Sequence, residues 1–444
     1  MKKILFITRG TGGVNYYRIL TPFLHLKKNY NDFEYDYDNN IDYSVELNVN
    51  RLFNYDIIVY SKTILPQKDE NLQLLLNLKE KGIKLFLDID DYWVLDKSHT
   101  QHLHAKLTND KDLTLTNITN ATIVTTTNIF LLNKIKEHNT NVFILENGYD
   151  EMFHQFKSKW SAGNKIRISY MGGSSHKQDV DLLGGVTNLL LSDNVVKDKF
   201  VIKNCGFFTG GTGLKRTINP KFYEILDKLY LPKEEIHKEL ILNNFDITKV
   251  KSLPKPIVEM FKDKLITYDE VPLEPKQSPY YEYEKILTNN FKNLPQLYVK
   301  FLHDFKKEKH VNDDDFYYVR RWNKPVTEYL TFLDETDIVL APLLDTEFNN
   351  SKSNLKMVEA ITRKLPIVCS NVSPYNSYGV NEHNCLLIGN KKNSSKFWYK
   401  AIKKLILDRE LRNKLGNNLF TDFSEKFSLN SINKKRNELF NKFI

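Results

Sequence analysis

Cysteine is scarce: 3 in 444 residues, Cys205, Cys369 and Cys385, odd in number and far apart. That excludes a disulfide framework and a zinc-ligand spacing, and makes a reducing cytoplasm the expected compartment. Arginine is scarce too, 11 against 53 lysines. Arginine is the usual reader of guanine edges and planar anions, so its shortage argues against a protein that reads DNA sequence. No apolar run approaches the ~18–20 residues of a membrane span. The opening MKKILFITRG imitates a signal peptide for five residues. Arg9 and a glycine loop then arrive without a small-residue cleavage site, so it reads as a first strand. No repeat of solenoid period is present.

What remains is ordinary globular composition, 41% apolar and 27% charged, which excludes a disordered chain, a coiled coil and a collagen-like repeat. The length suggests two or three domains. Lysine, asparagine, isoleucine, tyrosine and phenylalanine are the residues of AT-rich codons, and asparagine reaches 46, as in a low-GC organism or a virus. The net charge of +9 is uneven. Residues 1–150 hold 17 Lys/Arg against 19 Asp/Glu, residues 211–318 balance, and residues 319–444 hold 21 against 13. A basic C-terminal part suits a phosphate-bearing ligand or an acidic surface.

Strand and helix patterns alternate along the first 150 residues. KKILFIT, YDIIVYSK, KLFLDID, ATIVTTT and NVFILEN read as strands, with helical spacing over 14–28, 69–82 and 129–138. Such alternation predicts a parallel sheet covered by helices on both faces. Residues 151–164 read as a linker, after which the theme restarts at KIRISYMGG. It pauses over about 211–315, a Lys-, Tyr- and Pro-rich stretch that reads as a mainly helical insertion. It resumes with DFYYVRRW, TDIVLAPL, LPIVCSN and NCLLIGN, and helices are expected over 177–192, 354–364, 395–415 and 428–443. The fold expected is α/β, two Rossmann-like doubly wound domains facing a cleft. The first spans 1–155 and the second 160–425, with a final helical segment at 426–444.

Such domains bind ligands where strands end and helices begin. The first glycine loop, Gly10-Thr11-Gly12-Gly13, lacks the spacing of a dinucleotide fingerprint and is no P-loop. Gly172-Gly173 follows a strand and precedes a helix, where backbone N–H groups suit a phosphate, and His176 and Lys177 add charge. The same placement also describes a plain tight turn. Further on, FNNSKSN opens a helix, and Lys352, Ser353 and Asn354 make an anion-binding end. Glu359, on the first turns, is placed to accept hydrogen bonds from vicinal sugar hydroxyls. Otherwise it is a surface acid. His99, His102 and His104 are spaced poorly for a shared metal and read as surface histidines.

In order along the chain, ILFITRGTGGVNYYRI, KLFLDIDD, ATIVTTT, LLNKIKEH, VFILENGYD, IRISYMGG, DIVLAPL, SKSNLKMVEA and LPIVCS resemble the nucleotide-sugar-dependent glycosyltransferases of the two-Rossmann-domain, or GT-B, fold. The resemblance is to the retaining group that includes sucrose and glycogen synthase-like enzymes and cell-envelope mannosyltransferases. It leaves the insertion uncovered. It departs from the family at Ser351, where an earlier glutamate is usual, and at Asp88, Asp90 and Asp91, where a histidine is usual.

The resemblance implies transfer of a sugar from a nucleoside diphosphate sugar to a hydroxyl, with retention. Gly172, Gly173, Lys177, Lys352, Ser353 and Asn354 would hold the diphosphate and Glu359 the ribose, with Arg320, Arg321 and Trp322 bordering the base. Gly12, Gly13, Asp90 and Asp91 would face the cleft, the two aspartates toward the acceptor, and Lys352 would stabilise the leaving diphosphate. No metal or other cofactor is required. Read as a metal clamp, Asp88-x-Asp90 would instead belong to the other glycosyltransferase fold. The acceptor class stays open between a glycan or lipid-linked precursor, with peripheral membrane contact allowed, and hydroxymethylated bases of viral DNA. A non-catalytic or epimerase-like sugar-nucleotide binder uses the same fold.

Overall fold

The short apolar runs become buried strands. In a computed structural model, residues 1–10, 12–39, 46–97, 99, 101–208, 212–243, 245–272, 276, 278–290, 316–389 and 394–443 are described. Thr11 of the first glycine loop and residues 291–315 of the expected insertion lie outside them. The strands are β1 Lys3–Ile7, β2 Glu34–Asp38, β3 Ile57–Ser61, β4 Lys84–Ile89, β5 Ile123–Thr126, β6 Val142–Ile144, β7 Ile166–Met171, β8 Phe200–Phe207, β9 Thr212–Ile218, β10 Ile266–Pro272, β11 Tyr318–Trp322, β12 Ile338–Ala341, β13 Ile367–Ser370 and β14 Leu386–Ile388.

Two six-stranded parallel sheets result, ordered β2-β1-β3-β4-β5-β6 and β11-β8-β7-β12-β13-β14. Each is the doubly wound arrangement expected. The strand order reverses beside β1 in the first sheet and beside β7 in the second, so both glycine loops leave a strand at a switch point. By contacts the chain forms two units, Met1–Phe207 with Glu282–Ile444, and Phe208–Tyr281. Both sheets belong to the first unit. The second has its own core of Phe222, Leu226, Ile236, Leu240, Ile257 and Phe261 beneath the antiparallel pair β9–β10. Its helices are those expected of the insertion, and the strand pair is additional.

Several helices differ from the periodic reading. The expected 14–28 helix is three pieces: a turn at Gly13–Asn15, a π-helix at Tyr16–Leu20 and an α-helix at Thr21–Asn29. The wider π turn places consecutive Tyr17 and Arg18 both in buried positions. The 177–192 helix breaks at Gly184-Gly185, where Gly185 has φ +81°. The 395–415 helix divides at Asp408, whose side chain caps Arg409–Phe423 by accepting from Leu411 N–H. The 354–364 helix is shorter, Leu355–Ile361. VTEYLTFLDE is a 3₁₀ helix over Tyr329–Glu335. The last helix, Leu429–Phe443, lies on the first sheet, with Phe440 packed against Phe6, Phe33 and Phe86 at ring-centroid distances of 6.2, 6.1 and 5.1 Å.

Candidate active site

The carboxyl edge of the first sheet gathers five charged groups from three parts of the sequence, Arg18, Lys62 and the cluster Asp88, Asp90 and Asp91. Arg18 forks onto Asp88, with Nε 2.9 Å from Oδ1 and Nη2 2.7 Å from Oδ2. The same guanidinium donates to the Leu145 carbonyl at 2.7 Å, and Thr125 Oγ1 donates to Asp88 Oδ2 at 2.6 Å. Asp88 is therefore a buried structural anion, and its oxygens are not offered to a metal shared with Asp90. Asp90, one residue past β4, is different. Its Oδ1 is sealed from solvent and accepts no hydrogen bond from the described residues. Burial first, then the neighbouring Asp91 charge, push its carboxyl up to about 7, while Lys62 and Arg18 oppose the rise. A carboxylate poised near neutrality suits acid–base work. Beside it lies a cavity of about 190 Å³, lined among others by Lys62, Asp91, Tyr92, Trp93, His104 and Phe348.

The second sheet supplies cationic groups. Asp179 orients them, accepting from Leu344 N–H and Asn349 Nδ2 at 2.8 Å each and pairing with His176 Nδ1 at 2.7 Å. Lys352 Nζ lies 3.3 Å from each ring nitrogen of His176 and 5.0 Å from the Phe348 ring centroid. Among the described residues no carboxylate comes within ion-pair distance of Lys352. Burial lowers its pKa, against the attraction of Asp91 and Asp179. Burial and then Lys352 lower that of His176. Two potential cations thus crowd together with Asp179 on the far side of the histidine, an arrangement that suits a phosphate. Asn354 Nδ2, two residues on from Lys352, is buried and finds no hydrogen-bond partner among the described residues.

The Gly172-Gly173 loop is pinned by Tyr283, whose hydroxyl accepts from His176 N–H and donates to the Gly173 carbonyl, both at 2.8 Å. Gly172 leaves no room for a side chain, since a Cβ there would lie 2.1 Å from Tyr170 Oη. The sheets also meet through side chains. Asn128 Nδ2 donates to the Ser351 and Lys352 carbonyls at 2.8 and 2.6 Å, Asn147 Nδ2 to Ser353 Oγ at 2.9 Å, and Tyr17 Oη to Glu359 at 3.3 Å.

The residues singled out by sequence divide accordingly. Asp91 lies within electrostatic reach of both Asp90 and Lys352. Gly12 and Gly13 have open space where a side chain would stand. Glu359 is no surface acid: it is buried and paired with Lys356 at 2.6 Å. Arg320 is held by Glu284, Nε to Oε1 at 2.7 Å, under the Phe207 ring at 3.9 Å. It therefore serves the edge strand β11 and does not present its guanidinium to a base. Trp322 packs on Phe207, and Arg321 pairs with Glu335 at 3.3 Å. Lys177 is exposed and paired with Asp181. Of the three histidines, His99 meets Phe348 edge to face at 4.8 Å between ring centroids and His104 lines the cavity. Sequence reading missed Tyr17, Lys62, Asn128 and Tyr283. Only the YYR run in a helix breaking its own period gave a signal.

No family model matches the sequence, and no curated protein matches it. Solved structures do match. HepE of Anabaena in complex with UDP and glucose aligns over 99% of this chain and 100% of that one, at TM-score 0.56 and 12% identity. Sucrose-phosphate synthase from Thermosynechococcus elongatus aligns over 100% and 99%, at 0.56 and 10%. A glycosyltransferase from Rickettsia africae aligns over 100% and 98%, at 0.54 and 11%. Sheet order, paired glycine loops and these alignments agree, and the chain has the two-Rossmann-domain fold of the GT-B glycosyltransferases.

Proposed function

We propose that the protein transfers a sugar from a uridine diphosphate sugar to an acceptor hydroxyl of a glycan or lipid-linked precursor. The observation that carries this reading is the crowding of Lys352 against His176, 3.3 Å from each ring nitrogen, at the carboxyl edge of the second sheet, with Asp179 paired to the histidine and no carboxylate among the described residues within ion-pair distance of the lysine. The UDP bound by HepE supports a uridine donor. In this reading residues 160–425 hold the donor and residues 1–155 the acceptor. The Gly172-Gly173 loop, Lys352, Ser353 and Asn354 hold the diphosphate, and Glu359 the ribose. Lys352 stabilises charge that grows on the leaving phosphate, and no metal is needed for that. Asp90 and Asp91 orient the acceptor hydroxyl. The sequence resemblance supports retention. A carboxylate able to take the acceptor's proton supports inversion, and the anomeric configuration of the product decides between them.

Thermal unfolding with UDP, UDP-glucose and GDP-mannose tests the donor. A saturating match at ~100-fold above Kd raises stability by about 2.7 kcal/mol. Product analysis with labelled donors, in EDTA and across glycan, lipid-linked and hydroxymethylated-DNA acceptors, tests transfer. No thermal shift with any donor refutes the proposal. Binding without transfer to any acceptor reduces it to a sugar-nucleotide binder.

A further inference from the structure

The backbone of Lys62 is strained. It follows β3 directly and has φ +61°, a left-handed conformation that a lysine adopts at a cost. Its N–H donates to the Asp88 carbonyl at 3.3 Å, which registers it beside the Asp88–Asp91 segment. Lys62 then lines the same cavity as Asp91 and Asp110. Neither sequence periodicity nor the family resemblance points to it.

The charges around Asp90 come from three places. Asp88 and Asp91 flank it on its own segment, Arg18 approaches from the π turn, and Lys62 from the end of β3. Asp110 faces Lys62 from the helix Asp110–Asn120, and His104 lines the cavity from His102–Leu107. Arg18 is already engaged by Asp88. Lys62 is thus the cation whose attraction reaches Asp90, Asp91 and Asp110 together. Lys62 is exposed overall; partial desolvation at the cavity pulls its ammonium down, and those three carboxylates outweigh the pull.

We propose that Lys62 is a positioning residue that keeps Asp90 ionised opposite the acceptor hydroxyl. This rests on the glycosyl-transfer reading above. With Asp90 ionised, the hydroxyl proton passes to its carboxylate as the oxygen bonds to the anomeric carbon. The bond from that carbon to the diphosphate breaks, and its electron pair leaves with the phosphate. Without Lys62, burial and the Asp88 and Asp91 charges act unopposed on that side, and Asp90 stays protonated to higher pH.

The test uses Lys62→Met, Lys62→Gly and Lys62→Arg in the full chain. Glycine suits φ +61°, so Lys62→Gly removes the charge while relieving the strain and keeps the protein folded. In ligand-free protein, carboxyl ¹³C spectra of labelled aspartate, assigned to Asp90 by its loss in Asp90→Asn, give the titration directly. Lys62→Met and Lys62→Gly move it up by about one pH unit, and Lys62→Arg restores it. In turnover the acid limb of kcat moves with it, so that at pH 6 kcat falls about tenfold while donor KM holds. An unmoved Asp90 titration in folded Lys62→Gly overturns the proposal, as does a Lys62→Arg protein that behaves like Lys62→Met. If the parent binds no donor and makes no product, the glycosyl-transfer reading falls instead, and the spectra still report what Lys62 does to Asp90.

Discussion

Asp90 is costly to bury as an anion, and the cost has a sign. Its folded pKa, about 7, is above the ordinary carboxyl value of 3.8. Between those values the folded chain binds more protons at this site than the unfolded chain, so its contribution to stability is present at low pH and is lost as pH rises through about 7. Asp90→Asn removes that loss. The variant should melt several degrees above the parent at pH 8, with the gap shrinking toward pH 5, while turnover collapses. Equal melting temperatures across that range would show that Asp90 is not desolvated as described. Lys352 and His176 have the opposite shift, and their pKa values rise when a diphosphate arrives. Donor binding at pH 7.5 should therefore take up protons, seen as a binding enthalpy that depends on the ionisation enthalpy of the buffer. Buffer-independent heat would remove the phosphate from this pair. Lys352→Ala should cut kcat by ~10²-fold, because the charge it meets develops in the transition state.

At the scale of elements, the helix that follows Lys352 is placed by what packs behind it. Leu355–Ile361 has seven residues, too short to hold its own direction. The turn after it reaches Lys364, which has φ +52°, and the carbonyl of Lys364 would lie 1.9 Å from a Cβ built on Gly416 in the helix Arg409–Phe423. Backbone meets backbone there, so Gly416→Ala must move one helix from the other. The expected cost is about 2–3 kcal/mol in urea unfolding, with weakened donor binding as Lys352 shifts. A neutral Gly416→Ala would mean that the helix is held elsewhere. This contact explains why periodicity alone gave only the helix and not its direction. The apolar residues of LKMVEAI mark a buried face, but a glycine in a helix 52 residues later decides how closely the next helix approaches. Likewise, Arg320 looked available in RRW because nothing local says that Glu284 lies opposite it.

At the scale of the whole molecule, the last helix ties the chain's end to its beginning. Phe440 sits among Phe6, Phe33 and Phe86, and Asn433 Nδ2 donates to the Pro22 carbonyl at 3.0 Å. Phe440→Ala should cost about 3–5 kcal/mol, the usual range for an aromatic removed from a packed core. The loss should appear as one cooperative transition if both sheets unfold together. Two separated transitions would show that they are independent folding units. No helix among the described residues is long and apolar enough to cross a membrane.

The sequence by itself determined the alternating strands and helices, the two glycine loops and the class of fold. These follow from local hydrophobic period and turn chemistry, which each segment carries without its neighbours. It also put Asp90 and Asp91 just past a strand and Lys352 and Asn354 just before a helix, because strand ends and helix starts are local features. Only the tertiary structure decided which charges are engaged and which stand ready. Arg18 neutralises Asp88 from 70 residues away, Glu284 takes Arg320 from 36 residues away, and Asn128 reaches the Lys352 carbonyl across 224. Burial, charge pairing and desolvation depend on distances through space. No window of neighbouring residues contains them, so Lys62 became visible only once β3 and β4 lay side by side.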